Sequence, residues 1–176
     1  MKFVSYDNIN KFTEDVMDIL AQHEIQNNMR QADHKELYYL PYWSMGFDLD
    51  CGFHDVDLSG STEKVKKFLD DRTLYIWEDG IPVSQAATGR KTLNGAVVNA
   101  VYTPPYYRGK GYASSCVASL SKQLLESGYK FCCLFTDRNN PVSNGIYMKI
   151  GYKPVGDYDE YKFSERQRQN AGEGLK

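Results

Sequence analysis

The stretch Arg108-Gly109-Lys110-Gly111 sets two cations and two glycines just ahead of Tyr112-Ala113-Ser114-Ser115, which reads as a helix start. A helix N-terminus leaves backbone N–H groups without partners and carries partial positive charge. Glycines there admit a ligand to the backbone, and Arg108 and Lys110 add local charge. Such a turn suits phosphate or pyrophosphate. A solvated basic turn has the same composition, so the stretch alone leaves both readings open. It is not a Walker A loop, because the spacing and the Lys-Ser/Thr end are missing. The G-x-G-x-x-G run of a dinucleotide site is also incomplete. A second polar group follows: Asn140, Ser143 and Tyr147. Asn140 before Pro141 reads as an N-cap with proline at the first helical position. Tyr147 lies seven residues after Asn140, on the same helix face two turns on. A phenol of pKa about 10 is protonated at neutral pH and can donate.

The chain that positions these groups has 176 residues, 25% charged and 41% hydrophobic, with a net charge of -2. That is one domain, or one domain plus an elaboration, and enough to bury a core. The whole-molecule charge points to neither nucleic acid nor acidic membranes, so any anion site must be local. The longest apolar run, Phe131 to Phe135, is five residues and far from a membrane span. The start, MKFVSYDNIN, has no apolar core of a signal peptide. Cys51, Cys116, Cys132 and Cys133 lack metal-site spacing. They are expected as reduced, mostly buried thiols of a cytoplasmic protein, with no metal site.

Residues 11–29 read as a helix, with Phe12, Val16, Ile19, Leu20 and His23 on one side. Residues 31–60 are aromatic and broken by Pro41 and Gly46; "LSGSTEKVKKFLDD" suggests a short helix capped near Ser61. Pro41, Tyr42, Trp43 and Met45 suit either an aromatic lid or a core. Turn signals at Glu78-Asp79-Gly80 and Asn94-Gly95 delimit three antiparallel strands near 73–77, 82–88 and 96–102. A helix near 111–127 buries Ala113, Val117, Leu120 and Leu124 and stops at Gly128. "YKFCCLFT" reads as a central strand, 140–150 as a helix, and "YKPVGDYDEYKF" as a final strand pair. The strand–helix–strand unit from 96 to 135 makes its two strands parallel, giving a mixed α/β sheet with helices on its faces.

Arg108-x-x-Gly111-x-Ala113, after the strand "VNAVYTPP" and opening a helix, resembles the acetyl-CoA-binding motif of the GNAT superfamily of N-acetyltransferases. "NNPVSNGIYMKIGY", residues 139–152, is similar to that family's Asn-to-Tyr stretch. Together they cover about residues 72–163. "HEIQNNMRQ" resembles the end of the first helix in some family members. The resemblance implies a twisted mixed sheet whose fourth and fifth strands splay apart, flanked by helices. It implies one domain over 1–176: a helical, substrate-side part at 1–71, an acetyl-CoA-binding core at 72–163 and a frayed tail at 164–176.

It also implies roles. Pantetheine would lie between the splayed strands, paired with backbone around Val101, Tyr102 and Thr103. The pyrophosphate would sit on the N–H groups of Arg108, Gly109, Lys110, Gly111, Tyr112 and Ala113, with Ser114 beside it. Asn140 would hold the pantetheine arm, Ser143 would contact CoA or only stabilise the first helical turn, and Tyr147 would be the general acid at the sulfur. A backbone N–H near Val101 or Tyr102 would stabilise the oxyanion. The acceptor would be a small-molecule or peptide amine. Glu24 and Asn28, one helical turn apart, are substrate-side candidates. Glu24, His23, His34, Glu78 and Asp137 remain eligible as the base, as does water. A protein that binds acetyl-CoA without turnover is the alternative reading.

Overall fold

The computed structural model describes residues 2–6 and 28–159. Seven strands form one sheet: β1 Lys2–Tyr6, β2 Met29–Gln31, β3 Leu74–Glu78, β4 Pro82–Lys91, β5 Gly95–Tyr102, β6 Phe131–Thr136 and β7 Lys153–Asp157. Their order is β2-β3-β4-β5-β6-β1-β7. The β5–β6 pair is parallel and every other pairing is antiparallel. Among the described residues four helices accompany the sheet: α1 Leu40–Asp50, α2 Leu58–Asp70, α3 Tyr112–Glu126 and α4 Pro141–Lys149.

Both faces of the sheet are covered. Along β3, Leu74 and Ile76 face one core while Tyr75 and Trp77 face the other, as a two-residue period requires. The first core joins Leu40 of α1 and Val65 and Leu69 of α2 to Leu74, Ile76, Ala87 and Ala100. The second joins Val117, Leu120 and Leu124 of α3 and Ile150 to Trp77, Val98 and Leu134. The helices end where their chemistry ends them. Asn140 Oδ1 accepts the Ser143 N–H at 3.1 Å, with Pro141 opening α4. Gly128, at φ +104°, follows α3 in a conformation that suits glycine.

β5 and β6 touch over only three pairs: Gly95–Phe131, Ala96–Cys132 and Val97–Cys133. Beyond Val97 the two strands part, which is the expected splay. Gly95 makes the junction possible, since a Cβ there would lie 2.2 Å from the Phe131 ring.

Several expectations are corrected. Met29 to Gln31 form a strand paired with Trp77 to Tyr75, so that end of the expected first helix is extended; residues 11–27 lie outside the described residues. The helix expected to be capped near Ser61 starts earlier. Asp57 caps it, its carboxylate accepting the Gly60 N–H at 2.9 Å, and Ser61 is buried inside. The strand beside β7 comes from the other end of the chain. β1 pairs with both β6 and β7, making the first 71 residues more than helical. The second strand expected after Asp157 falls largely on residues outside those described. Cys51 is exposed; the other three cysteines are buried, and all four are unbridged.

Gly95→Ala is expected to force Phe131 aside and lower the unfolding free energy by about 1–3 kcal/mol. Urea titration measures this, and an unchanged midpoint would show that the junction has room to spare.

Candidate active site

The splay opens at the end of β5, where the backbone is irregular. Gln85 lies opposite Tyr102 and Ala87 opposite Asn99, so β5 carries one extra residue. Ala100 within this bulge has φ +47°, an uncommon and costly conformation for a residue with a Cβ. Ala100 and Val101 have no register partner on β4 or on β6. Three side-chain contacts hold the bulged end. Gln85 Nε2 donates to the Ala100 carbonyl at 3.4 Å. Ser84 Oγ donates to the Tyr102 carbonyl at 3.1 Å and lies 2.8 Å from Thr103 Oγ1.

Pro104 and a one-turn 3-10 helix at Pro105–Tyr107 lead from β5 to the glycine-rich loop. Gly109 and Gly111 both have left-handed backbones, at φ +77° and +82°. No side chain caps α3 at Gly111. The first intrahelical bond runs from Ser115 N–H to the Gly111 carbonyl at 3.0 Å, so the amides of Ala113 and Ser114 have no partner within the helix. A helix end of this kind, built from backbone, has the chemistry to take an anion.

The side chains of this loop do not all serve it. Arg108 turns back: Nη2 meets Asp50 Oδ2 at 2.5 Å, Nε donates to the Thr103 carbonyl at 2.9 Å, and the guanidinium lies 5.6 Å from the Tyr102 ring centre. Its charge is thus matched by the carboxylate at the end of α1. Lys110 is exposed and has no ion pair among the described residues. The Tyr112 side chain is buried and its hydroxyl donates to the Asp79 carboxylate, leaving only backbone for a ligand. Tyr102 packs on α1, where a Cβ at Gly46 would lie 2.2 Å from its hydroxyl oxygen, and Trp43 stands 6.4 Å away. Trp43 and Gly46 therefore belong to a helix that walls this edge, not to a detached lid.

α4 brings Asn140, Ser143 and Tyr147 to the end of β6. Asn140 Oδ1 is occupied by the cap, which leaves its amide N–H groups for another partner. Tyr147 is 9% exposed and packs 6.2 Å from the Tyr152 ring. Its hydroxyl has no hydrogen-bond partner among the described residues. Burial, and secondarily Cys51 at the end of α1, pushes the phenol well above its ordinary range. Asn144, which sequence reasoning missed, donates to the Asp137 carbonyl at 3.0 Å and ties α4 to the β6 exit.

The base candidates separate. Asp137 is exposed at the end of β6, accepting the Asn139 N–H at 2.9 Å. Glu78 is held by Arg30, with contacts of 2.8 and 2.6 Å. His34 pairs with Asp70 at 2.9 Å, beyond the β2 edge and away from the splay. Glu24 and His23 lie outside the described residues. Asn28 leads into β2, three strands from β5, where its carbonyl accepts the Glu78 N–H at 2.9 Å. A buried network was also missed. Arg30 donates to both oxygens of Glu36, at 2.9 and 2.7 Å, and Tyr39 donates to Glu36 at 2.5 Å. Burial alone would raise the Glu36 carboxyl; these bonds bring it below its ordinary value. Among the described residues no His, Cys, Asp and Glu side chains group to hold a metal.

At Gly109 a Cβ would meet nothing within 4 Å, so Gly109→Ala isolates the backbone penalty. It is expected to cost roughly 1–2 kcal/mol by thermal or urea unfolding, and a neutral result would mean the loop relaxes out of the left-handed conformation.

Residues 78–162 match the FR47-like protein family model. A search of curated proteins finds no match. The fold is shared with solved acetyltransferases. One is a "predicted acetyltransferase" of Clostridium acetobutylicum solved with acetyl-CoA, 20% identical over 77% of this chain and 95% of that one, TM-score 0.61. Another is a "possible acetyltransferase" of Clostridium difficile 630, 16% identical over 77% and 95%, TM-score 0.62. A third is AAC(6')-Iy in complex with a bisubstrate analogue, CoA-S-monomethyl-acetylneamine, 16% identical over 77% and 97%, TM-score 0.59. With its splayed mixed sheet and its Arg108-to-Ala113 loop, both within the FR47-like match, the chain has the fold of the GNAT acetyltransferases.

Proposed function

We propose that the protein transfers an acetyl group from acetyl-CoA to a primary amine, directly, within a ternary complex. One observation carries this reading. β5 parts from β6 beside a helix start whose N-cap is a glycine, and Tyr147 of α4, whose hydroxyl has no hydrogen-bond partner among the described residues, is near enough to Cys51 at the end of α1 to feel its charge. The residues fit acetyl-CoA. The amides from Gly109 to Ala113 would take the pyrophosphate, with Lys110 and Ser114 beside them. The off-ladder backbone at Val101, with Tyr102 and Thr103, would take the pantetheine. The Asn140 amide and Ser143 would bind its arm.

The chemistry divides among few groups. The acceptor nitrogen, once neutral, attacks the thioester carbonyl and a C–N bond forms. The backbone N–H at Val101 or Tyr102 stabilises the carbonyl oxygen as it gains charge. The C–S bond then breaks, Tyr147 hydrogen-bonds or protonates the departing thiolate, and the proton that the nitrogen sheds goes to the base or water, or restores the phenol. Asp137 is the base candidate nearest this end, acting on the amine directly or through water. AAC(6')-Iy was solved with an acetylneamine bisubstrate analogue. That supports a small-molecule amine as the first acceptor class to screen.

Saturating acetyl-CoA is expected to raise the melting temperature, since a ligand of the native state must stabilise it. Mixing protein, acetyl-CoA and an amine panel should release free CoA thiol; binding without release from any amine would favour a non-catalytic module. Tyr147→Phe should lower transfer by about tenfold or more while acetyl-CoA affinity moves by less than about threefold. Equal rates would remove Tyr147 from the reaction.

The pH dependence follows from the raised phenol. Its folded-state pKa lies above the unfolded value of about 10, so the proton stays on through neutral and mildly alkaline pH. The associated stabilisation is present below about pH 10 and is lost as pH climbs beyond it. The transfer rate should show no Tyr147-dependent fall between about pH 7 and 10, tested by comparing the profiles of wild type and Tyr147→Phe.

Asp50→Asn should free the Arg108 charge and tighten acetyl-CoA by roughly two- to fivefold at low salt, an effect that added salt erases. Weaker binding in calorimetry would show instead that the Asp50–Arg108 pair props the loop.

A further inference from the structure

β4 holds two adjacent polar residues in its most enclosed part. Ser84 is 0% and Gln85 2% exposed. Neighbours on a strand point to opposite faces, so the pair reaches β5 from both sides of the sheet. Gln85 pairs with Ile76 and shares its face toward α1 and α2, while Ser84 pairs with Trp77 and shares the α3 face. Both grip one short segment, the bulged end of β5. Gln85 bonds the Ala100 carbonyl; Ser84 bonds the Tyr102 carbonyl and meets the Thr103 hydroxyl.

Packing does not explain these choices. Gln85 Oε1 is buried without a partner among the described residues, a penalty that a leucine of similar size would avoid. What Gln85 does touch is the carbonyl of the residue at φ +47°. A backbone in such a conformation persists only where its surroundings over-determine it. The bulge in turn takes Val101 off both neighbouring ladders and leaves its backbone groups at the opening of the splay.

We propose that Ser84 and Gln85 are positioning residues that clamp the Ala100 bulge, so that the β5 backbone N–H at Val101 or Tyr102 stays aimed at the acetyl carbonyl oxygen. The proposal rests on the acetyltransferase reading. Neither side chain touches substrate; both act through the backbone they hold. A donor fixed beforehand needs no reorganisation as charge develops, and this is the source of its advantage.

The test uses acetyl-CoA labelled with 13C at the acetyl carbonyl. In wild type the carbonyl resonance should move downfield on binding, reporting hydrogen bonding to its oxygen. In Gln85→Leu, and separately in Ser84→Ala, at least about half of that displacement should be lost while the acetyl-CoA dissociation constant changes by less than about threefold. A merely structural role would leave the bound carbonyl shift in place. A folded Gln85→Leu with the wild-type shift overturns the assignment for Gln85, and the same result in Ser84→Ala overturns it for Ser84. If Gln85→Leu does not fold, Gln85→Met takes its place under the same criterion. Wild type that binds acetyl-CoA without moving the resonance overturns this proposal alone. Wild type that does not bind acetyl-CoA overturns the acetyltransferase reading beneath it.

Discussion

The site depends on two parallel strands that pair for three residues and then separate. A parallel ladder is evenly bonded and has no inherent reason to stop. Separation leaves backbone groups of β5 without their partners, and buried backbone groups must be satisfied somehow. Here other groups take over. Ala100 accepts from Gln85, Tyr102 from Ser84, and Thr103 from Arg108. Tyr102 fills the α1 side, seated against the bare backbone of Gly46. At the closed end Gly95 lets the Phe131 ring lie across the junction. The opening is therefore a sheet edge whose accounts are settled by side chains on one flank and left free on the other.

That arrangement bears on how an anion would be held under the proposed function. The two cations beside the glycines suggest charge, yet Arg108 is matched by Asp50 and spends two donors on protein groups. What remains is Lys110, the helix end and amides presented by left-handed glycines. Amide recognition is short-ranged and geometric, and it suits a chain of net charge -2 that offers no general attraction for anions. Arg108 instead links the glycine-rich loop to the end of α1, tying the helix beside Tyr102 to that loop.

Most of what was legible in the sequence was local. Gly80 and Asn94-Gly95 mark the turns between β3, β4 and β5, Asn140-Pro141 marks the start of α4, and Gly128 the end of α3. Each signal is a residue whose own conformational preference fixes the backbone beside it. The missed features are non-local. β1 is a five-residue strand whose partners lie more than 125 positions away, so nothing near it announces the pairing. Met29 reads as helix because its partner, Trp77, is also far along the chain and nothing beside Met29 announces it. α1 is apolar on most sides, with Leu40 buried and Tyr42 and Leu49 exposed, so no clear stripe marks it as a helix. Arg108 keeps its motif position, but its pairing with Asp50 depends on how α1 sits over β5. The Gln85 contact likewise exists only once β5 bulges.

The buried phenol raises a question of proton affinity. Tyr147 lies above its ordinary pKa, whereas a thiol in water titrates near 8.5, so full transfer from phenol to a solvated thiolate would run uphill. The protein shows how burial alters that comparison. Cys116 and Cys132, thiols enclosed in the same core, are pushed up to about 12 by desolvation. In the proposed reaction a sulfur leaving beside Tyr147 would enter the same kind of surroundings, and its proton affinity would rise with that of the phenol. Enclosure thus brings donor and acceptor closer together than their values in water suggest, which is the condition for a strong hydrogen bond or a shared proton at the moment the C–S bond breaks. Without that enclosure a phenol would be a poor acid for a thiolate, so the depth at which α4 buries Tyr147 matters as much to the proposed chemistry as the hydroxyl itself.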